Sequence, residues 1–255
     1  MGELQAVISD IHGNLEALEA VLADIEQHGV TSIVCLGDLV GYGPDPIACV
    51  RLAMNWDVVL MGDKDAAAMS RSDLPGYATS PVAKRTIFRV RREIQEQDLD
   101  ATLGKYLRER PKSYASRQAL YLHGTPRDPV NEYLFPEDVY NRWKMKSISK
   151  RFKGLCFCGH THIPGVFIPD EDEVWSYYEP DESEPEFSVG FPRMICNVGS
   201  IGQPRDDDWR ASYVLFDGDT IKFRRVEYDV ETTIRKIHDD DDYDKMLGDR
   251  LRKGN

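Results

Sequence analysis

Residues 3–14 read ELQAVISDIHGN, an apolar run that stops abruptly at Asp10, His12 and Gly13. The run has the continuous apolar character of a strand buried on both faces. Asn14 is suited to N-cap a helix through about Gln27, with Leu15, Leu18, Leu22 and Ile25 on one face and Gly29 closing it. The same unit repeats. SIVCLG (32–37) predicts a second strand, Pro46 opens a helix carrying Ile47, Val50 and Met54, and DVVLMG (57–62) predicts a third strand. A βαβαβ alternation implies a parallel sheet with right-handed crossovers.

Residues 66–115 break that rhythm and carry no strand signal. Two helical stretches fit there, Pro81 to Gln97 and Asp98 to Arg110. The first is rich in Lys84, Arg85, Arg89, Arg91 and Arg92, expected as a solvated face or, more sharply, a cap that attracts anions. Strands resume at QALYLHG (118–124), GLCFCGH (154–160) and RMICNVG (193–199). A hairpin follows at 211–229, turning at Asp217-Gly218. Residues 169–188 hold nine Asp/Glu and no Lys or Arg, the pattern of a solvated loop or flap. HDDDDYD, from His238, predicts an acidic tail over 238–255, frayed or disordered, beyond a domain spanning 1–237.

The strand ends share one chemistry. They supply Asp10 and His12, Asp38 in GDLVGYG, Asp63 in MGDKD, His123 in LHG, and His160 with His162 in GHTH. Four of the six histidines fall in these turns. In open α/β sheets the ligand site lies beyond the carboxyl ends of the strands, so these seven groups should converge. Mixed imidazole and carboxylate ligation suits two divalent metal ions of the Mn, Fe, Zn, Ni or Co type. Two cations about 3.5–4 Å apart can hold a hydroxide for in-line attack on phosphorus. Cys156 and Cys158 share a strand face and are expected as small core residues rather than ligands.

Composition narrows the partners. The 255 residues carry 32 basic and 44 acidic side chains, a net −12. That argues against non-specific nucleic-acid binding and against an anionic membrane surface. No apolar run reaches membrane-spanning length, no basic leader precedes Arg51, and five cysteines form no C-x-x-C pair. A cytoplasmic location is expected.

In this order SDIHGN, GDLVGYG, LHG, GHTH and NVGSIGQPR resemble the calcineurin-like metallophosphoesterase superfamily, in its compact bacterial and archaeal phosphodiesterase-like branch. The resemblance implies an α/β four-layer αββα sandwich, here with a helical insertion after the third strand. It implies one metal on Asp10, His12 and His162, the other on position 63 with His123 and His160, and Asp38 between them. Asn14 and the loop 199–205 would border a small phosphate-ester substrate, and Arg205 and Arg127 would anchor phosphate or serve as surface ion pairs. Catalytic roles would fall to Asp38, Asn14, His123 and Arg205.

Two departures matter. The protein-phosphatase branch has Asp-Arg-Gly where this chain has Gly41-Tyr42-Gly43, which favours phosphodiester over protein-phosphatase or monoester chemistry. Position 63 is Asp where the family pattern has Asn, and Lys64 follows it, expected to point to solvent or, more sharply, to contact substrate. Three ionised ligand carboxylates would leave two divalent cations a net +1 instead of +2. Asp65 is expected as an N-cap or a partner behind the ligands. The rival from another class is a non-catalytic scaffold of the same fold, which metal binding and turnover would distinguish.

Overall fold

A computed structural model describes residues 4–70, 80–181 and 185–255. Two sheets face each other. In the first, β1 (Gln5–Ile8), β2 (Ser32–Cys35) and β3 (Val58–Val59) run parallel. They are extended by β11 (Ala211–Phe216), β12 (Thr220–Val226) and β9 (Glu186–Ser188) in the order β3-β2-β1-β11-β12-β9. The second sheet has the order β4-β5-β6-β10-β7-β8. Its strands are β4 (Ser113–Ala115), β5 (Ala119–Leu122), β6 (Gly154–Cys158), β10 (Arg193–Asn197), β7 (Gly165–Pro169) and β8 (Trp175–Tyr178). Within it β5, β6 and β10 are parallel.

Strand alternation assigns the layers. Val7, Val34, Tyr121, Leu155, Phe157, Met194, Val214 and Phe216 point between the sheets and form one core. Ala6, Ile8 and Cys35 point outward against α1 (Leu15–Gln27) and α2 (Pro46–Ala53). Cys156 and Cys158 point outward from the second sheet against Met145 and Ile148 of α6 (Arg142–Ser149), as core residues. The result is the helix–sheet–sheet–helix sandwich expected from the sequence. No helix among the described residues is long and apolar enough to cross a membrane.

Several sequence expectations are corrected. The third strand shrinks to two residues, because Met61 N–H turns away to Pro111 O and α3 (Asp63–Met69) starts at once. The 66–115 insertion holds α4 (Pro81–Gln97), α5 (Thr102–Arg108) and a strand, β4, that pairs antiparallel with β5; its residues 71–79 lie outside the described ones. Asp98 does not start α5; its carboxylate accepts the N–H groups of Leu103 and Gly104. The acidic stretch 169–188 is not a plain flap, since β8 and β9 lie in it and extend one sheet each, with 182–184 outside the described residues.

The tail is the largest correction. α7 (Val230–Asp239) and α8 (Met246–Asp249) pack together, and Tyr243, Leu247 and Leu251 bury themselves with Ile234 and Ile237. The acidic run lies along α4, where Arg85 pairs with Asp244 at 2.7 Å, Arg89 with Asp240 at 2.8 Å, and Arg92 with Asp242. Arg91 donates instead to Ala67 O and Ala68 O at the end of α3. The arginine-rich helix is thus a docking face through Arg89 and Arg91, while Lys84, Arg85 and Arg92 stay exposed along its rim.

Candidate metal centre

Asp10 and His12 follow β1, Asp38 follows β2, Asp63 opens α3, His123 follows β5, and His160 and His162 follow β6. Both sheets therefore contribute to one site beyond their strand ends. All seven side chains are buried. They fall into two groups with facing ligand atoms, Asp10, His12 and His162 in one and Asp38, Asp63, His123 and His160 in the other.

The spacings join the groups. His12 Nε2 and His162 Nε2 are 3.1 Å apart, and Asp10 Oδ1 lies 3.5 and 3.1 Å from them. His123 Nε2 is 3.0 Å from His160 Nδ1, and Asp63 Oδ1 is 3.7 and 3.5 Å from these two. Asp38 Oδ2 reaches both sides, at 3.7 Å from His12 and 3.6 Å from His123.

Each carboxylate is half committed. Asp10 Oδ2 accepts His160 N–H at 2.9 Å, Asp38 Oδ1 accepts Lys64 N–H at 2.8 Å, and Asp63 Oδ2 accepts Lys64 Nζ at 2.6 Å. The other three oxygens, Asp10 Oδ1, Asp38 Oδ2 and Asp63 Oδ1, are buried and find no hydrogen-bond partner among the described residues. Orphaned buried oxygens are costly, and three aimed into one space fit cations. The imidazoles match. His12 Nδ1 donates to Val40 O, His162 Nδ1 to Gln203 O and His160 Nε2 to Asn131 O, which leaves the facing nitrogens as lone pairs.

The electrostatics follow from burial. Burial holds His12, His160 and His162 below the usual imidazole range, His160 at about 3 with help from His123. His123 differs. Burial pulls it down, but Asp38, Asp10 and Asp63 outweigh that and raise it to about 9. Burial raises the Asp38 carboxyl, and the Asp63 charge raises it further. Burial opposes ionisation of Asp63 too, yet Lys64 and His123 hold it well below the usual range.

Five of these residues, Asp10, His12, Asp38, His160 and His162, have φ between 51° and 69°. That left-handed conformation costs a non-glycine residue about 1–2 kcal/mol, and the glycines beside them allow the close approach. A Cβ on Gly62 would sit 2.0 Å from Asp38 Oδ1, and one on Gly159 would sit 2.2 Å from Ser9 Oγ.

Other expected residues are placed differently. Lys64 does not point to solvent; it is 5 % exposed and faces Asp63. Asp65 lies behind the ligands and accepts N–H bonds from Asp38, Val40 and Gly62. Asn14 is buried and accepts from Ala17 N–H and Thr233 Oγ1 while donating to Gly202 O and Tyr228, so its amide is taken up by the fold. Arg127 is paired with Glu132 and lies over Trp143, the surface ion-pair outcome. Arg205 stands by the centre with its guanidinium 5.9 Å from the Tyr42 ring centroid and one bond to Gln203 Oε1. Two features escaped sequence reading. Tyr42 stands edge-on to His12, and Tyr133 stacks on His160 at 3.7 Å with Phe135 stacked in turn on Tyr133.

Comparisons with known proteins give the family and the fold. Residues 4–220 match the model of the calcineurin-like phosphoesterase superfamily domain. An uncharacterized protein of Methanocaldococcus jannaschii is 34% identical over 98% of this chain and 97% of its own. A crystal structure of a metallophosphoesterase from Sphaerobacter thermophilus is also 34% identical, covers 100% of both chains and superposes with a TM-score of 0.84. A hypothetical protein from Pyrococcus horikoshii shares the fold at 19% identity, with a TM-score of 0.74 over 99% of this chain and 98% of its own. By its sequence, its fold and its paired ligand groups, the chain belongs to the calcineurin-like phosphoesterase superfamily and is a metal-dependent phosphoester hydrolase.

Proposed function

We propose that the protein hydrolyses phosphodiesters at a dinuclear centre. Asp10, His12 and His162 hold one divalent cation, Asp63, His123 and His160 hold the other, and Asp38 lies between them. The observation that carries this reading is the set of three buried, partnerless carboxylate oxygens that face ring nitrogens of four histidines, those of His12, His160 and His162 held as lone pairs by the carbonyls behind their rings. Nitrogen and oxygen donors suit Mn, Fe, Zn, Ni or Co. When bound, such cations supply Lewis acidity toward the phosphoryl oxygens and activate water as nucleophile.

This chain's own residues do the rest. Val40 O, Gln203 O and Asn131 O orient three ligand imidazoles, and Asp65 fixes the turn that presents Asp38. Asn14 acts as a positioning residue that ties the first ligand turn to Gly202 and α7, not as a substrate contact. Arg205 offers a guanidinium fork to a non-bridging phosphoryl oxygen. The Tyr133–Phe135 ring pair runs outward from His160 with both rings partly exposed, at 37 % and 41 %. A diester has a second organic arm to place, and this shelf supports that choice over a monoester.

The test compares aryl phosphodiester with aryl phosphomonoester turnover by wild type, Asp38→Asn and His160→Ala. The diester should be preferred, and each variant should lose at least about 100-fold in kcat while remaining folded. Full metal-dependent activity in either variant would remove these residues from the centre. A preference for the monoester would replace the diesterase reading.

A further inference from the structure

We propose that Lys64 is a fixed counter-ion of the metal centre. Its ammonium offsets the charge of the third ligand carboxylate, which lowers the affinity of the second metal and strengthens the pull on an anionic ester. The proposal rests on the dinuclear reading above.

The placement of Lys64 is unusual in three ways. A lysine is almost never buried unless paired, and this one is 5 % exposed in the first turn of α3. Its stem does not run outward to solvent as lysine stems commonly do. It lies beneath Gly41, where an added Cβ would touch Lys64 Cβ and Cγ at 3.4 Å, and its Nζ reaches Asp63 Oδ2 at 2.6 Å. Finally, one residue grips two ligands, because its backbone N–H holds Asp38 Oδ1 while its ammonium holds Asp63 Oδ2. The Tyr42 ring lies 5.7 Å from the same ammonium and lines its other side.

The charge consequence is direct. Three ligand carboxylates leave two divalent cations a net +1, and the Lys64 ammonium raises the centre to +2. Asp63 keeps Oδ1 for metal, but its charge is half answered before any metal arrives. A cation at that site therefore meets a ligand closer to a neutral amide than to a free carboxylate. The ammonium also repels the cation, and with Lys64 and Asp63 each only 5 % exposed that repulsion is weakly screened.

The experiment is a double-mutant cycle read by metal binding. Metal-stripped wild type, Asp63→Asn, Lys64→Met and Asp63→Asn/Lys64→Met are titrated with Mn2+ by calorimetry, with thermal melts as the folding control. Lys64→Met should bind the second Mn2+ about tenfold more tightly than wild type, and Asp63→Asn about tenfold more weakly. The double variant should return to within about threefold of wild type, because both charges leave together. Inorganic phosphate should inhibit Lys64→Met less strongly than wild type. If Lys64→Met does not fold, the double variant against Asp63→Asn measures the same lysine, and tighter binding in the double supports the proposal. Equal affinity in the presence and absence of Lys64, in both backgrounds, overturns it while leaving the dinuclear reading intact. A wild type that binds fewer than two Mn2+ overturns both.

Discussion

At the scale of single residues the centre is organised by strain and by shared oxygens. Five candidate ligand residues sit in left-handed backbone, and their strain is held by bonds such as those Asp65 accepts from Asp38, Val40 and Gly62. Burial raises the Asp65 carboxyl to about 6 against those three donors. Asp65→Asn should cost about 2–3 kcal/mol, since an amide NH2 would face a backbone donor it cannot satisfy; urea unfolding of the metal-stripped protein measures it, and a loss below about 0.5 kcal/mol would contradict the account. His123 gives a pH prediction. Its folded value of about 9 exceeds the unfolded value of about 6.5. The stability it contributes is therefore complete below about pH 6.5 and lost as pH rises through about 9. Because a metal takes its lone pair, metal affinity should rise with pH up to about 9 and then flatten, with proton release visible in calorimetry across buffers. A pH-independent affinity between 6.5 and 9 would refute this. The convergence of these seven groups was legible from their places at strand ends, but the left-handed φ angles were not, because Asp and His carry no sign of backbone conformation.

Helices and segments show a different balance. The clasp between α4 and the C-terminal segment is unequal along its length. Arg89, largely buried, bonds Asp240, Glu93, Tyr243 and Pro44 O, and Tyr243 in turn donates to Gly43 O beside Tyr42. Arg85 is 58 % exposed and holds one carboxylate. Arg89→Ala should therefore destabilise by about 2–3 kcal/mol, as removal of one partner from a mostly buried network does. Arg85→Ala should cost less than about 1 kcal/mol, as an exposed pair does. Chemical denaturation of the two variants checks the contrast, and equal losses would mean that the clasp is not centred on Arg89. Sequence reading saw a basic helix and an acidic tail as separate solvated features. The signal that joins them was present in Tyr243, Leu247 and Leu251, an apolar stripe at four-residue spacing that only a packed segment needs. The run of aspartates masked it. Likewise β4, β8 and β9 were missed because short edge strands, two of them within acidic sequence, carry little apolar alternation.

Across the whole molecule, two sheets bring strand ends from distant parts of the chain to one place. The core between them is aromatic at its centre, where Phe157 stacks on Tyr121 and meets Phe216 edge-on. Phe157→Ala should cost about 3–5 kcal/mol and lower metal retention, because His160 and His162 directly follow the same strand, β6; a melt followed with and without metal tests it. The βαβαβ half of this design was legible because each strand is a buried apolar run closed by glycine. The pairing of the two sheets into a sandwich was expected from the family resemblance, since no periodicity states which strands share a sheet. The most direct measurement is hydrolysis of an aryl phosphodiester by metal-stripped protein titrated with Mn2+, with bound metal counted alongside. Turnover that appears with metal and saturates at two equivalents per chain is the predicted result. One equivalent or none, with no turnover, would contradict a working dinuclear centre and leave a scaffold that has kept the family fold without its chemistry.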